Sequence, residues 1–159
     1  MDLTFKVTAR IARPVAEVFE AVVNPAELSR YFTTGGAKGR IETGAVVYWD
    51  FADFPGAFPV WVIEVVPQKK IVFEWEANDG PPETDDNVVV HAGYKTTVTM
   101  TFEPLEDGRT LVAIEEHGWK QTQTGLKASY GNCQGWTQMQ CAMKAYLEHG
   151  INIREGMFK

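Results

Sequence analysis

Apolar residues recur along this chain with two periods, and each period predicts a different kind of element. From Leu3 to Ile11 every second residue is apolar, which is typical of a strand with one face in water. The same alternation returns in five later stretches separated by Gly- and Pro-containing segments. In one of them, Trp61, Ile63 and Val65 are predicted to face the core. The later predicted strands cover residues 47–51, 61–65, 71–76, 98–102 and 110–119, the last of which closes in Gly118-Trp119.

Two short helices are predicted directly after the first strand. Pro14 suits the first turn of a helix, and the apolar residues between Val15 and Val22 form a helical stripe. Asn24 and Pro25 then have the pattern of an N-cap followed by the first helical residue. The second helix is predicted to end near Tyr31 and Phe32.

The longest helical pattern lies near the C-terminus, from Gly131 to His149. Its apolar stripe requires a broad apolar surface to pack on, which the strands supply. Gly150 is predicted to end this helix in the left-handed conformation, with Ile151 following. We therefore predict an α+β helix-grip fold, in which a curved antiparallel sheet of six or seven strands holds a long C-terminal helix. The stripe consists of Trp136, Met139, Met143, Tyr146 and Leu147.

Composition narrows the classes of function. The 159 residues carry a net charge of −6 and contain no basic run, which disfavours nucleic-acid binding. No apolar stretch approaches the roughly 18 residues of a membrane span, and the N-terminus has no signal-peptide pattern. We expect one cytoplasmic domain over residues 1–159 without a membrane partner.

Cysteine and histidine spacing predicts neither a disulfide nor a metal site. Cys133 and Cys141 are eight residues apart, about 12 Å along a helix axis, which exceeds disulfide reach. The three histidines are scattered. We expect two reduced thiols, no metal and no cofactor.

Residues 77–87 are acidic and rich in Gly and Pro, which predicts a mobile connection between strands. Residues 88–90 are a possible short strand at its far side.

Large apolar side chains on the predicted inner faces suggest either a filled core or a pocket between sheet and helix. Aromatic and methionine side chains are the usual lining of a small-molecule site. The predicted ligand-binding residues are Tyr31, Phe32, Trp49, Phe51, Trp61, Phe73, Trp75, Met100, Glu116, Trp119, Trp136, Met139, Gln140 and Met143.

Glu116 is the candidate polar group of this pocket. It shares strand parity with Val112 and Ile114, so it faces inward unless the strand bulges or ends first. Inside, we expect its carboxylate at the cavity mouth, near Trp119 and Gln140, with a pKa raised by burial. It would then orient a ligand or act as an acid or base.

Two other acids, Asp50 and Asp53, flank a Pro-Gly turn. They resemble a carboxylate pair, but we expect both to be solvated.

The order of these segments resembles the START/Bet v 1-like (SRPBCC) helix-grip superfamily. More narrowly, it resembles the branch related to the C-terminal domain of the heat-shock-protein-90 ATPase activator. The resemblance covers nearly the whole chain. It is carried by residues 11–19, Asn24-Pro25, Tyr31-Phe32, residues 62–67 and 72–75, Gly108-Arg109-Thr110, residues 116–119 and Gly135-Trp136.

The resemblance implies several functions and supplies no catalytic residue. The superfamily includes ligand carriers, cyclase-like proteins, hydrolases and co-chaperone domains. We predict binding of a small, largely hydrophobic ligand rather than catalysis. One alternative is a polyketide-cyclase- or hydrolase-like enzyme with Glu116 as acid or base, and the other is a co-chaperone-like module. A homodimer or another protein partner is also possible.

Overall fold

The computed structural model describes residues 1–80 and 92–159. The predicted strand at residues 88–90 and most of the predicted mobile connection at residues 77–87 lie outside the described residues. Ten elements follow one another along the described chain. They are β1 (Thr4–Ile11), α1 (Val15–Val23), α2 (Pro25–Leu28), β2 (Gly36–Lys38), β3 (Val46–Phe51), β4 (Phe54–Val66), β5 (Lys70–Glu76), β6 (Lys95–Pro104), β7 (Thr110–His117) and α3 (Gln123–His149).

The strands form a single seven-stranded antiparallel sheet in the order β1-β7-β6-β5-β4-β3-β2. The sheet curves, and α3 packs across it. One core joins the inner face of the sheet to α1 and α3. The predicted α+β helix-grip fold is therefore confirmed.

The short helices begin as their sequences predict. Asn24 Oδ1 accepts a hydrogen bond from the Ala26 backbone N–H at 3.0 Å, so it caps α2, and Pro25 is the first helical residue. Tyr31 follows and is fully buried, with its hydroxyl donating to the Ala21 carbonyl at 3.0 Å. This bond ties the corner after α2 to α1.

The long helix begins at Gln123, earlier than the predicted Gly131. Thr122 caps it, since the Thr122 hydroxyl accepts from the Gly125 backbone N–H at 3.0 Å. Its first two turns lack the apolar stripe, so periodicity did not indicate them. The predicted C-terminal end is confirmed, because Gly150 has φ 68° and its N–H donates to the Tyr146 carbonyl.

The predicted facing of β4 is wrong for Trp61 and Ile63, whereas Val65 packs against the core as predicted. The pairing of β4 with β5 shifts between Val62 and Glu64, as at a β-bulge, so the residues before and after the bulge do not share one parity. Phe58, Val60 and Val62 contribute to the core. Trp61 lies on the opposite face, where the Lys95 ammonium sits 3.7 Å from its ring centroid.

No helix in the described part of the chain combines the length and the apolarity that crossing a bilayer requires.

Candidate functional site

Seven aromatic rings meet between the inner face of the sheet and α3. Neighbouring rings have centroids 5.0–6.1 Å apart, in stacked and edge-to-face arrangements. Strands β3, β4 and β5 supply five of them, the turn after α2 one and α3 one. This aromatic cluster consists of Phe32, Trp49, Phe51, Phe58, Phe73, Trp75 and Trp136.

Burial divides the aromatic cluster into a deep part and a rim. Trp49, Phe73 and Trp136 are at most 2% exposed. Three rings, Phe51, Phe58 and Trp75, are only half-buried, and we call them the aromatic rim. These three rings keep part of their surface exposed.

Methionines continue the packed interior below the rings. Met100, Met139 and Met143 are all fully buried. In the described part of the chain, a cleft of ≈820 Å³ lies beside α1, α2 and the end of α3, and another of ≈270 Å³ lies near Asp53; both are outside the sheet–helix interior. Most of the predicted ligand-binding residues lie together in one packed core.

Glu116 faces inward and is fully buried at the inner end of the aromatic rim. Strand β7 pairs in continuous register with both neighbours, so the bulge that would have turned Glu116 outward is not there. Its Oε2 accepts from Trp75 Nε1 at 3.0 Å and from Thr96 Oγ1 at 2.8 Å. Asn132 Nδ2 donates to the same oxygen at 2.9 Å, and Trp136 Nε1 donates to Oε1 at 2.8 Å.

Burial raises the pKa of Glu116, and the four donors act in the opposite direction. The carboxylate joins β5, β6 and α3, so it locks the two stacked indoles of Trp75 and Trp136 in place. The oxygens are engaged by donors of the protein itself, which gives Glu116 a positioning role toward the rings.

The expected partners of Glu116 are wrong. Gln140 is buried, but its amide donates at 3.2 Å to the carbonyls of Val7 and Val112. Trp119 stacks on Phe5 at 5.7 Å and belongs to a separate small apolar cluster with Ala77 and Ala128. Helix α3 offers Asn132 and Trp136 at this level instead, one turn or more before Gln140.

Asp50 and Asp53 have different surroundings, and the turn between β3 and β4 is Ala52-Asp53 rather than the predicted Pro-Gly turn, because Pro55 and Gly56 lie inside β4. Asp50 Oδ1 accepts from the Gly56 backbone N–H. Asp53 is only 7% exposed, and its Oδ2 accepts from the Phe158 backbone N–H at 3.3 Å. The expectation that Asp53 is solvated is wrong, because residues 151–159 fold back over the turn.

The segment 151–159, which we call the C-terminal strap, adds a residue that sequence reasoning missed. Arg154 is 7% exposed, and its guanidinium carbon lies 5.7, 5.4 and 5.0 Å from the ring centroids of Phe32, Phe51 and Phe158. Desolvation lowers the pKa of Arg154, while the nearby Asp53 carboxylate opposes this shift. A lone arginine beyond the last helix carries no local signal of such burial.

The cysteines of α3 are both free, with Cys133 half-buried and Cys141 exposed. Among residues 1–80 and 92–159, no group of three or more His, Cys, Asp or Glu side chains could hold a metal ion.

A sheet gripping a long C-terminal helix, with two short helices after its first strand, defines the Bet v 1-like helix-grip class. Residues 12–148 match the family model described as activator of Hsp90 ATPase homolog 1-like protein. The chain belongs to this family, and the predicted resemblance is confirmed. None of the curated proteins matches the chain significantly.

Solved structures share the fold. Protein SSP2350 from Staphylococcus saprophyticus is 25% identical with a TM-score of 0.71, over 97% of this chain and 96% of that one. DynU16, described as a putative protein of the dynemicin biosynthetic locus, is 22% identical with a TM-score of 0.76, over 97% of this chain and 50% of that one. The Aha1 dimer from Colwellia psychrerythraea is 16% identical with a TM-score of 0.68, over 92% and 97%.

Proposed function

We propose that this protein binds a small, largely hydrophobic molecule at the aromatic rim, between the sheet and α3. The observation that carries the proposal is the half-buried state of Phe51, Phe58 and Trp75 next to fully packed rings. Flat apolar ligands bind well against such rings, because stacking adds to the gain from burying apolar area.

The polar groups at the rim favour binding over catalysis. The carboxylate of Glu116 accepts hydrogen bonds from Trp75, Thr96, Asn132 and Trp136. A general acid or base needs hydrogen-bond contact with the reacting group, but Glu116 is fully buried and already accepts four hydrogen bonds from the protein. The cyclase- or hydrolase-like alternative therefore has less support than ligand binding.

The co-chaperone-like alternative has its support in the family description and in the relative from Colwellia psychrerythraea, which is described as a dimer. The contacts of the described residues select no docking surface. A homodimer and a protein partner stay predictions.

Two tryptophans make a matched test of the proposal. Trp75 and Trp61 are both half-buried, but they lie on opposite faces of the sheet. Binding of a neutral apolar probe, N-phenyl-1-naphthylamine, is measured by its fluorescence. We expect Trp75→Ala to weaken binding about tenfold, a free energy of about 1.4 kcal/mol, because a stacking ring is lost.

Trp61→Ala should leave the affinity unchanged, since its ring faces Lys95 on the outer side. Melting curves of both variants show that the comparison is made on folded protein. Equal weakening by the two substitutions, or a wild-type protein that does not bind the probe, would overturn the proposal.

A further inference from the structure

Arg154 combines deep burial with an incomplete set of hydrogen bonds. Its side chain is 7% exposed, and its Nη1 is buried without a hydrogen-bond partner among the described residues. Burying a charged group without a full set of partners costs free energy, so such a group calls for a physical reason.

Asp53 does not supply the missing partner. Its charge favours the protonated form of Arg154, but its Oδ2 accepts from the Phe158 backbone N–H. The surfaces that contact the guanidinium are the rings of Phe32, Phe51 and Phe158. An aromatic ring attracts a cation through its π face but accepts no conventional hydrogen bond from the N–H groups at the edge of a guanidinium. The Nη1 N–H groups of Arg154 therefore stay available as donors to an anion.

The aromatic rim runs from Arg154 toward Glu116. Phe51 lies 5.4 Å from the guanidinium carbon, Phe58 lies 6.0 Å from Phe51, and Trp75 lies 6.1 Å from Phe58. At the far end, Trp75 donates to the buried Glu116 carboxylate. The rim therefore has a cationic end, where Nη1 of Arg154 has no hydrogen-bond partner among the described residues, and an acidic end, where the Glu116 carboxylate accepts four hydrogen bonds from the protein.

We propose that the ligand is an apolar or aromatic carboxylic acid that lies on the aromatic rim with its carboxylate at Arg154. This inference rests on the proposed function and adds the class and orientation of the ligand. A guanidinium binds a carboxylate through parallel N–H donors, while Glu116 repels an anion from the other end. The ≈270 Å³ cleft beside the strap is lined by Asp53 and Glu155, whose negative charges disfavour an anion there. The carboxylate of the ligand therefore approaches Arg154 from the rim.

The experiment compares two probes of the same shape, 2-naphthoate and 2-naphthamide, by isothermal titration calorimetry at pH 7. We expect wild-type protein to bind 2-naphthoate about tenfold more tightly than 2-naphthamide, because one charge-assisted hydrogen bond contributes roughly that difference in affinity. Arg154→Gln should abolish this preference and leave the affinity for the amide within about twofold. Arg40→Gln is the matched control, because Arg40 pairs with Glu20 at 2.8 Å on the surface, and it should keep the preference.

Equal affinity of the wild type for both probes would overturn the carboxylate assignment and leave the proposed function standing. Absence of binding for both probes would overturn the two together. A preference that survives in Arg154→Gln would assign the anion to another group and also contradict the inference. Arg154→Lys provides a second variant that keeps the charge, and it should retain a weaker preference that falls as salt is added.

Discussion

At the scale of single residues, the decisive feature is the carboxyl group of Glu116, whose pKa is shifted in opposite directions by burial and by hydrogen bonds. Burial disfavours the charged form of Glu116, while four donors favour it. Burial has the larger effect, so the pKa of Glu116 is raised above its ordinary value. A glutamine cannot replace this group without loss, because its amide offers one oxygen acceptor and places N–H donors where donors already point.

We expect Glu116→Gln to lower the free energy of unfolding by about 1–3 kcal/mol at pH 7, measured by urea denaturation. Glu115→Gln is the neighbouring control. Glu115 is exposed on the other face and pairs with Lys6 at 3.5 Å, so its loss should change stability by less than about 0.5 kcal/mol.

The stability difference between wild type and Glu116→Gln should also depend on pH, and the raised pKa of Glu116 sets the sign. A carboxyl with a raised folded-state pKa binds its proton more tightly in the folded protein. The contribution of this carboxyl group to the free energy of unfolding is fully present below its pKa in the unfolded chain. That contribution is lost as the pH rises through its pKa in the folded protein. The stability difference between wild type and Glu116→Gln should therefore shrink from pH 4 toward neutrality. A difference that grows with pH would show that the four donors outweigh burial.

At the scale of elements, α3 carries the inner wall of the site and depends on both of its ends. The Thr122 cap begins it, and Gly150 ends it in the left-handed conformation with φ 68°. An L side chain in that conformation costs about 1–2 kcal/mol, whereas a glycine inside a helix lowers stability relative to alanine.

Two glycine substitutions on α3 should therefore have opposite effects on the melting temperature. Gly150→Ala should lower it, through a loss of about 1 kcal/mol. Gly135→Ala should raise it, through a gain of about 0.5–1 kcal/mol. An added Cβ meets nothing within 4 Å at either glycine, so backbone conformation alone separates them. The same sign at both positions would contradict this explanation.

At the scale of the whole molecule, the core connects every layer. It contains residues of α1, of α3 and of the inner face of the sheet in one contiguous cluster. The aromatic cluster and the Glu116 hydrogen bonds tie the same layers together. A core shared in this way favours cooperative unfolding of one domain.

We expect urea unfolding curves from tryptophan fluorescence and from far-ultraviolet circular dichroism to coincide. Fluorescence follows the packed indoles, and the dichroism follows α3 and the strands. If helical signal persisted after the indoles became exposed, α3 would be independently stable and the single-domain prediction would be wrong.

Local patterns in the sequence determined the kinds and order of most elements, the start of α2 after Asn24 and the end of α3 at Gly150, but they did not indicate β2, and they placed the end of α2 near Tyr31 and Phe32 instead of at Leu28. The alternation in β7 predicted the inward direction of Glu116, and Gly150 predicted the end of α3, because strand parity and helix termination depend on neighbouring residues. From these, the helix-grip fold could be predicted over nearly the whole chain.

Only the tertiary structure decided which groups meet. A bulge in β4 turned Trp61 to the outer face, and the strap brought Arg154 onto Phe32 and Phe51. The partners of Glu116 lie 16 to 41 residues away along the chain. Register, bulges and chain return determine such contacts, and a residue's immediate neighbours carry no signal of them.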